Sequence, residues 1–197
     1  MFAFAFAVFL LIVTPGPGVL SAAGIGAAFG ARPALFYIAG LWIGTNIVSL
    51  AVISGLVAVL FAEPLLRMIL LIGSAFYLLS LAFRIASAGR GLHFQKATSA
   101  PGLRAGLFLQ FINPKAYAVA LTLFSGFAFA PDNFLFETSA KMVIYNLIWV
   151  PLHLGWLFLG LKLHALNLPP EKQRLINYVM AAALTGVVLL SLSSLIG

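Results

Sequence analysis

The stretch Val13-Thr14-Pro15-Gly16-Pro17-Gly18 interrupts a long apolar segment in which an unbroken helix would be expected. Proline lacks the amide donor of a helix and clashes with the carbonyl group four residues earlier. In the hydrocarbon core of a membrane, the backbone groups freed by the break cannot form hydrogen bonds to water. Such a break therefore persists only where protein or a polar cavity surrounds it. The pattern therefore predicts a broken membrane helix with a polar site at the break.

A second interruption falls in the other half of the chain, at Gln110-Phe111-Ile112-Asn113-Pro114-Lys115. Matching interruptions in two halves are the best sequence indication of a transporter's binding site. Lys115 is a candidate functional residue because a lysine within a span is costly. The alternative is that Lys115 has no functional role and that its side chain only extends to the membrane interface. Asn113 is expected to cap the half-helix that restarts at Pro114.

Composition places the chain in the membrane class. The 197 residues are 63% hydrophobic and 8% charged, whereas soluble domains carry about 25% charged residues. The net charge of +7 is spread over the connections between apolar segments, which favours membrane orientation over nucleic-acid binding. The absence of cysteine from the sequence excludes disulfides and thiolate metal sites. One domain over residues 1–197 is expected.

A membrane span needs about 20 mainly apolar residues. The sequence predicts six spans, at about residues 2–25, 35–61, 65–86, 103–130, 141–163 and 175–196. A basic connection at about 89–102 separates the halves 1–88 and 103–197, and an odd number of spans per half requires inverted topology if the halves are related. Pro15 and Pro114, and Asn46 and Asn146, recur about 99–100 residues apart. The predicted fold is an all-α polytopic membrane protein with two inverted three-helix repeats, in which helices 1 and 4 are broken.

The basic residues predict the orientation. Eight of them lie in the first, third and fifth connections and two on the other side: Arg32, Arg84, Arg90, Lys96, Arg104, Lys162, Lys172 and Arg174 against Arg67 and Lys141. By the positive-inside rule, the odd connections are cytoplasmic and both termini lie outside.

Several polar or small residues lie within the predicted spans. Asn46 and Asn146 are each predicted either to contact the substrate or to form an interhelical hydrogen bond. His153 is the one histidine well inside a predicted span, and it is a candidate proton relay or a structural hydrogen-bonded residue. Gly40-Leu41-Trp42-Ile43-Gly44 carries small residues four apart, which predicts close helix packing within one protomer rather than a dimer seam.

The acidic residues all fall in predicted connections; they are Glu63, Asp132, Glu137 and Glu171. No carboxylate pair is therefore available for general acid and base chemistry within the spans. The sequence also has no metal-ligand spacing and no phosphate-binding loop. These features predict a protein that is not an enzyme and that needs no cofactor or metal.

The motifs resemble those of the LysE/RhtB family of bacterial amino-acid exporters over nearly the whole chain. The resemblance rests on Thr14-Pro15-Gly16-Pro17, the pair Gly40 and Gly44, Gly73-Ser74-Ala75-Phe76-Tyr77-Leu78-Leu79, and Arg104-Ala105-Gly106 leading to Asn113-Pro114-Lys115-Ala116. It implies efflux of amino acids or similar small solutes across the bacterial inner membrane, driven by an ion gradient. The sequence departs from the family pattern at Gly18, where the family usually has asparagine, and at Thr45, where it often has Asp or Asn.

The leading hypothesis is an exporter of neutral amino acids with its site between broken spans one and four. The predicted substrate-binding residues are Thr14, Pro15, Gly16, Pro17, Gly18, Asn46, Asn113, Pro114, Lys115 and Asn146. The expected partners are an amino-acid-like solute and the lipid bilayer, with no nucleic acid, and a homo-oligomer is left open. The alternatives are an inorganic-ion transporter, or a non-transport protein such as an assembly partner.

Overall fold

The computed structural model describes residues 1–57, 63–87, 100–166 and 168–193, and the regular elements within these ranges are α-helices. The helices are α1 (Phe2–Val13), α2 (Pro17–Phe29), α3 (Ala31–Ile53), α4 (Pro64–Ser87), α5 (Leu103–Ile112), α6 (Pro114–Gly126), α7 (Phe134–Ala165) and α8 (Pro170–Ser193). An all-helical chain of this hydrophobicity is a multi-pass membrane protein, as predicted.

The first predicted break separates α1 from α2, whose axes differ by 50°. Thr14 has a ψ of 124°, outside the helical region, because the residue before a proline is pushed toward extended conformations. Gly16 is fully extended, and Pro17 occupies the first turn of α2. The local sequence thus ends one helix and starts the next within three residues.

The second predicted break separates α5 from α6, which are bent by 66°. Asn113 has a ψ of 106° because Pro114 follows it. The Asn113 side chain accepts a hydrogen bond from the Lys115 amide at 3.1 Å. The predicted asparagine cap of the restarting half-helix is confirmed.

Three helices are long and apolar enough to cross a membrane by themselves: α3, α4 and α7 as far as Leu163. Counting each bent pair as one span raises the number to five. The predicted sixth span is helical as far as Ser193, and residues 194–197 lie outside the described part of the chain. Six spans in two inverted repeats stay a prediction.

Two predicted boundaries were wrong. The second span was expected to continue to Phe61, but α3 ends at Ile53. A turn follows in which Gly55 has a positive φ of 78°, a conformation that glycine adopts readily; residues 58–62 lie outside the described ranges. The fifth span was expected to begin at Lys141, yet α7 already begins at Phe134. The polar residues there form the first turns of the helix instead of a connection.

The three most extensive helix contacts are those of α3 with α5, α2 with α7, and α4 with α8. Glycines bring the first pair together. A side chain on Gly40 would meet the carbonyl oxygen of Leu103, and one on Gly106 would meet that of Tyr37. Small residues allow helix backbones to approach closely in membranes. The predicted packing of the Gly40 motif within one protomer is confirmed.

Where α3 crosses α7, residues 100 positions apart in the sequence bond to each other. The Thr45 and Tyr145 hydroxyls lie 2.7 Å apart. Asn46 Nδ2 donates to Asn146 Oδ1 at 3.1 Å, and Asn146 Nδ2 donates to Asn46 Oδ1 at 2.9 Å. Such reciprocal pairing is what two halves related by a two-fold axis predict at the axis.

Candidate functional site

The two helix breaks meet through Lys115. Its Nζ donates a hydrogen bond to the carbonyl oxygen of Thr14 at 2.7 Å. Thr14 caps the C-terminus of α1, where the helix dipole is negative, so a cation is stabilised there. The half-buried lysine of the second break therefore contacts the backbone of the first break directly.

A pocket opens beside this contact, with a cavity volume of about 50 Å³. This volume is well below the roughly 300–1,000 Å³ of drug-sized ligand sites, so the pocket is narrow in this conformation. We call it the break pocket. Its lining residues are Leu11, Ile12, Thr14, Gly16, Gly18, Val19, Gln110, Asn113, Lys115, Ala116, Val119, Tyr145, Trp149 and His153. The predicted residues Thr14, Gly16, Gly18, Asn113 and Lys115 thus come together.

The N-terminus of α2 supplies backbone donors to the break pocket. Its N-cap residue Gly16 forms no side-chain capping bond, and Pro17 has no amide hydrogen. The next two amides, those of Gly18 and Val19, belong to the unpaired first turn of a helix, and both residues line the pocket. An uncapped helix N-terminus attracts anions. At the start of α6, by contrast, the Asn113 side chain already accepts a hydrogen bond from one first-turn amide, that of Lys115.

Gln110 lines the break pocket and was missed as a site residue by the sequence reasoning. Its side chain packs against Gly44, where an added methyl group would lie 2.6 Å from its Cβ. Only 5% of the residue is exposed, yet its amide forms no hydrogen bond to any residue that the structure describes. Because Gln110 lines the pocket, this amide is available to a ligand. Its position one helical turn before Asn113, after a run of apolar residues, was a usable signal.

His153 is hydrogen-bonded to the backbone, which was one of its two predicted interpretations. Its Nδ1 lies 2.9 Å from the carbonyl oxygen of Trp149, and its ring stacks on the Trp149 indole at 3.5 Å. The ring also lines the break pocket, where a methyl group on Gly18 would lie 3.4 Å from its Nε2. The histidine is therefore held by the backbone and faces the first break. A role in proton relay stays a prediction.

Asn46 and Asn146, also predicted as substrate contacts, do not line the break pocket. Besides bonding each other, their amide nitrogens donate to the carbonyl oxygens of Trp42 and Met142, one turn earlier in each helix. The Trp42 indole donates to Asn146 Oδ1 at 2.6 Å. The two amides thus form an interhelical contact, which was the other predicted interpretation.

The acidic residues are absent from the lining of the break pocket. Among the described residues, no group of three or more histidine, cysteine, aspartate or glutamate side chains is placed to hold a metal ion. What the pocket offers is one ammonium, free backbone amides, neutral polar groups and an apolar wall. This arrangement suits reversible binding of a small anionic or zwitterionic molecule.

A multi-pass helical protein in which two broken spans meet at a polar pocket has the architecture of a secondary transporter. A sequence model of the LysE type translocator family matches residues 9–194, and the chain belongs to this family. No curated protein and no solved structure matches the chain. Family membership makes the protein a translocator of amino acids or similar small solutes rather than an enzyme, in agreement with the resemblance found in the motifs.

Proposed function

We propose that this protein exports neutral amino acids or closely similar zwitterions from the cytoplasm, with the break pocket as its substrate site. Membership of the LysE type translocator family supports transport of small solutes. The observation that carries the proposal is the position of Lys115, bonded to Thr14 beside the uncapped N-terminus of α2. Together these groups concentrate positive charge in one wall of the pocket.

A zwitterion fits this distribution of charge. The carboxylate would accept hydrogen bonds from the free amides of Gly18 and Val19 and from the Lys115 ammonium. The ammonium of the substrate would face the carbonyl end of α5 and the side-chain oxygen of Gln110, where the helix dipole is negative. The N-terminus of one half-helix and the C-terminus of another would thus provide complementary partners for the two charges of one small molecule.

The proposed preference for neutral substrates rests on the absence of a carboxylate from the pocket lining. A lysine or arginine substrate would bring a second cation into a site that already contains Lys115, with no acid to pair with it. Buried charges in membranes are tolerated mainly when they are paired. The apolar wall, which includes Leu11, Val19 and Val119, suits a small uncharged side chain.

The sequence and the family support a proposed cellular setting. We place the protein in the bacterial inner membrane, with the basic connections in the cytoplasm and both termini outside. Export would be driven by an ion gradient, and His153 is the candidate group for proton coupling. Rocking of the two halves around the break pocket would alternate its access.

Counterflow of labelled alanine, homoserine and lysine into proteoliposomes tests the proposal. The wild-type protein is expected to exchange alanine and homoserine in preference to lysine. Lys115→Met should lower the rate roughly tenfold to hundredfold, as expected for losing a hydrogen bond from a charged group. Lys162→Met is the matched control because Lys162 is exposed on α7. Preferred transport of lysine, or normal transport by Lys115→Met, would contradict the assignment.

A further inference from the structure

A second pocket, with a cavity volume of about 320 Å³, lies against the same two helix breaks. It shares four lining residues with the break pocket: Thr14, Gly16, Asn113 and Lys115. Only the break pocket reaches α7, through Tyr145, Trp149 and His153. The second pocket instead reaches Ser74 of α4 and Val187 of α8. The bond between Lys115 and Thr14 therefore stands at the boundary between two cavities. We call the second cavity the Ser74 pocket.

Ser74 itself indicates that the second cavity receives a polar ligand. The residue is 3% exposed, and its hydroxyl forms no hydrogen bond to any of the residues that the structure describes. Serine within a helix usually bonds a carbonyl group of the preceding turn, as Ser80 of the same helix does with Tyr77 at 2.8 Å. Because Ser74 lines the cavity and its hydroxyl is not bonded within the described part of the chain, this hydroxyl is available to a ligand.

The chemistry of the Ser74 pocket favours an anionic group. Three of its lining residues are prolines, at positions 15, 17 and 114, and prolines contribute no amide donor. The side-chain donors in its lining include the Ser74 hydroxyl, the Lys115 ammonium and the amide of Asn113. No acidic residue lines the pocket. A carboxylate is the group of an amino-acid substrate that these donors recognise.

We propose that the Ser74 pocket is a second binding site for the carboxylate of the transported substrate, on the far side of the Lys115–Thr14 bond. The inference rests on the proposed function of the break pocket and adds a second binding site to the proposed transport path. Because one ammonium serves the two cavities, Lys115 binds the carboxylate in one pocket at a time. Release of Lys115 from Thr14 would let the carboxylate pass from one site to the other.

Because the chain has no native cysteine, single cysteines can report on the two pockets. Ser74→Cys replaces one hydroxyl with a thiol of similar size, Val119→Cys reports on the break pocket, and Asp132→Cys is a control in the exposed turn before α7. Each variant would be reconstituted and treated with a small methanethiosulfonate reagent, with and without saturating alanine. The modification rate of Ser74→Cys is expected to fall at least fivefold with alanine, while that of Asp132→Cys stays unchanged.

Two further arms separate the possible outcomes. Alaninamide, which lacks the carboxylate, should not protect Ser74→Cys, and adding Lys115→Met should abolish protection by alanine. Protection at Val119→Cys without protection at Ser74→Cys would overturn the second site and leave the proposed function standing. A Ser74→Cys thiol that never reacts would also overturn it. Protection at neither position, together with absent alanine counterflow, would instead overturn the proposed function.

Discussion

The side chain of Lys115 occupies the space that Gly16 leaves open. A methyl group on Gly16 would lie 2.8 Å from Cδ and 2.9 Å from Nζ of Lys115, closer than non-bonded atoms approach. The two residues also hold equivalent places in the two breaks, since each follows the first proline of its own break. Corresponding positions of the two breaks thus carry a glycine and a lysine. The Lys115 side chain fits against the first break because Gly16 has no side chain.

This fit predicts a specific effect of Gly16→Ala. The added methyl group must displace the Lys115 side chain, and the ammonium should lose its bond to Thr14. Gly16 is extended with a φ of −158°, so alanine brings no backbone strain there. We expect counterflow to fall about tenfold, with normal membrane insertion, because a charged hydrogen bond is worth roughly 1.5–3 kcal/mol.

Gly155→Ala is the matched control for this substitution. Gly155 lies in α7, and a methyl group on it would meet nothing within 4 Å. Its transport rate should equal that of the wild type. Equal rates for Gly16→Ala and Gly155→Ala would show that the position of Lys115 against the first break does not matter.

Sequence reasoning located both breaks to within a residue because prolines and glycines act on their immediate neighbours. The cap by Asn113 is equally local and was predicted. Gln110 was missed because the face of α5 that lines the pocket depends on how this helix is rotated against α3. The turn at Gly55 was missed for the same kind of reason, since the apolar sequence continues past Ile53 and periodicity alone does not mark the end of a helix.

The placement of Asn46 and Asn146 shows the same limit of prediction from sequence. Their spacing indicated equivalent positions in two halves, but the sequence left open whether they bind substrate or each other. The structure pairs them at the crossing of α3 and α7. We therefore predict that Asn46→Ala and Asn146→Ala lower thermal stability in detergent, with little change in the alanine concentration needed for half-maximal counterflow.

A double-mutant cycle tests this pairing. Interhelical hydrogen bonds in membranes contribute about 0.6 kcal/mol on average and up to ~1.7 kcal/mol, so the double variant should lose less stability than the sum of the single losses by about this amount. Thr185→Ala is the control, because the Thr185 hydroxyl bonds Ala181 within its own helix. Additive losses, or a large loss of alanine affinity in either single variant, would point to substrate contact.

Lys141 forms a clamp at the C-terminal end of α6. The residue is 4% exposed, although it lies at the predicted start of the fifth span. Its Nζ donates to the carbonyl oxygens of Phe124 and Phe127, and to Glu137 Oε1 at 2.6 Å. A lysine is favourable at a helix C-terminus because it bonds the last carbonyls and opposes the negative dipole end.

Glu137 completes the clamp from the first turn of α7. Its Oε2 accepts hydrogen bonds from the amides of Phe129 at 2.9 Å and Ala130 at 2.5 Å. The carboxylate thereby ties the connection between α6 and α7 to the ammonium of Lys141. One ion pair thus fixes the end of a broken span against the helix that walls the break pocket.

We predict that Lys141→Met lowers the melting temperature of the detergent-solubilised protein by about 5–10 °C, because it leaves two helix-end carbonyls and a carboxylate without their cation. Lys162→Met, which removes an exposed lysine from the same helix, should shift the melting temperature by less than about 2 °C. Fluorescence-detected size-exclusion chromatography of heated samples measures both. Similar shifts for the two variants would mean that the clamp contributes no stability.

The last prediction concerns orientation. Asp132 is exposed in the turn before α7, in the predicted outer connection between spans four and five. Asn133 would be a poorer reporter, since its side chain caps α7 by accepting from the Phe136 amide at 3.0 Å. Ser99 belongs to the basic connection predicted to face the cytoplasm, and it lies outside the described residues. Asp132→Cys and Ser99→Cys therefore report on opposite sides of the membrane.

An impermeant maleimide applied to intact cells should label Asp132→Cys and spare Ser99→Cys, while permeabilised cells should show labelling of both. The physical reason is the excess of basic residues in the odd connections, which resist transfer across the inner membrane. The permeabilised sample is the internal control, since it shows that each thiol reacts when the reagent reaches it. Labelling of Ser99→Cys alone in intact cells would invert the orientation. The proposed cytoplasmic side of the transport cycle would then be reversed, although the break pocket and its contacts would stay as described.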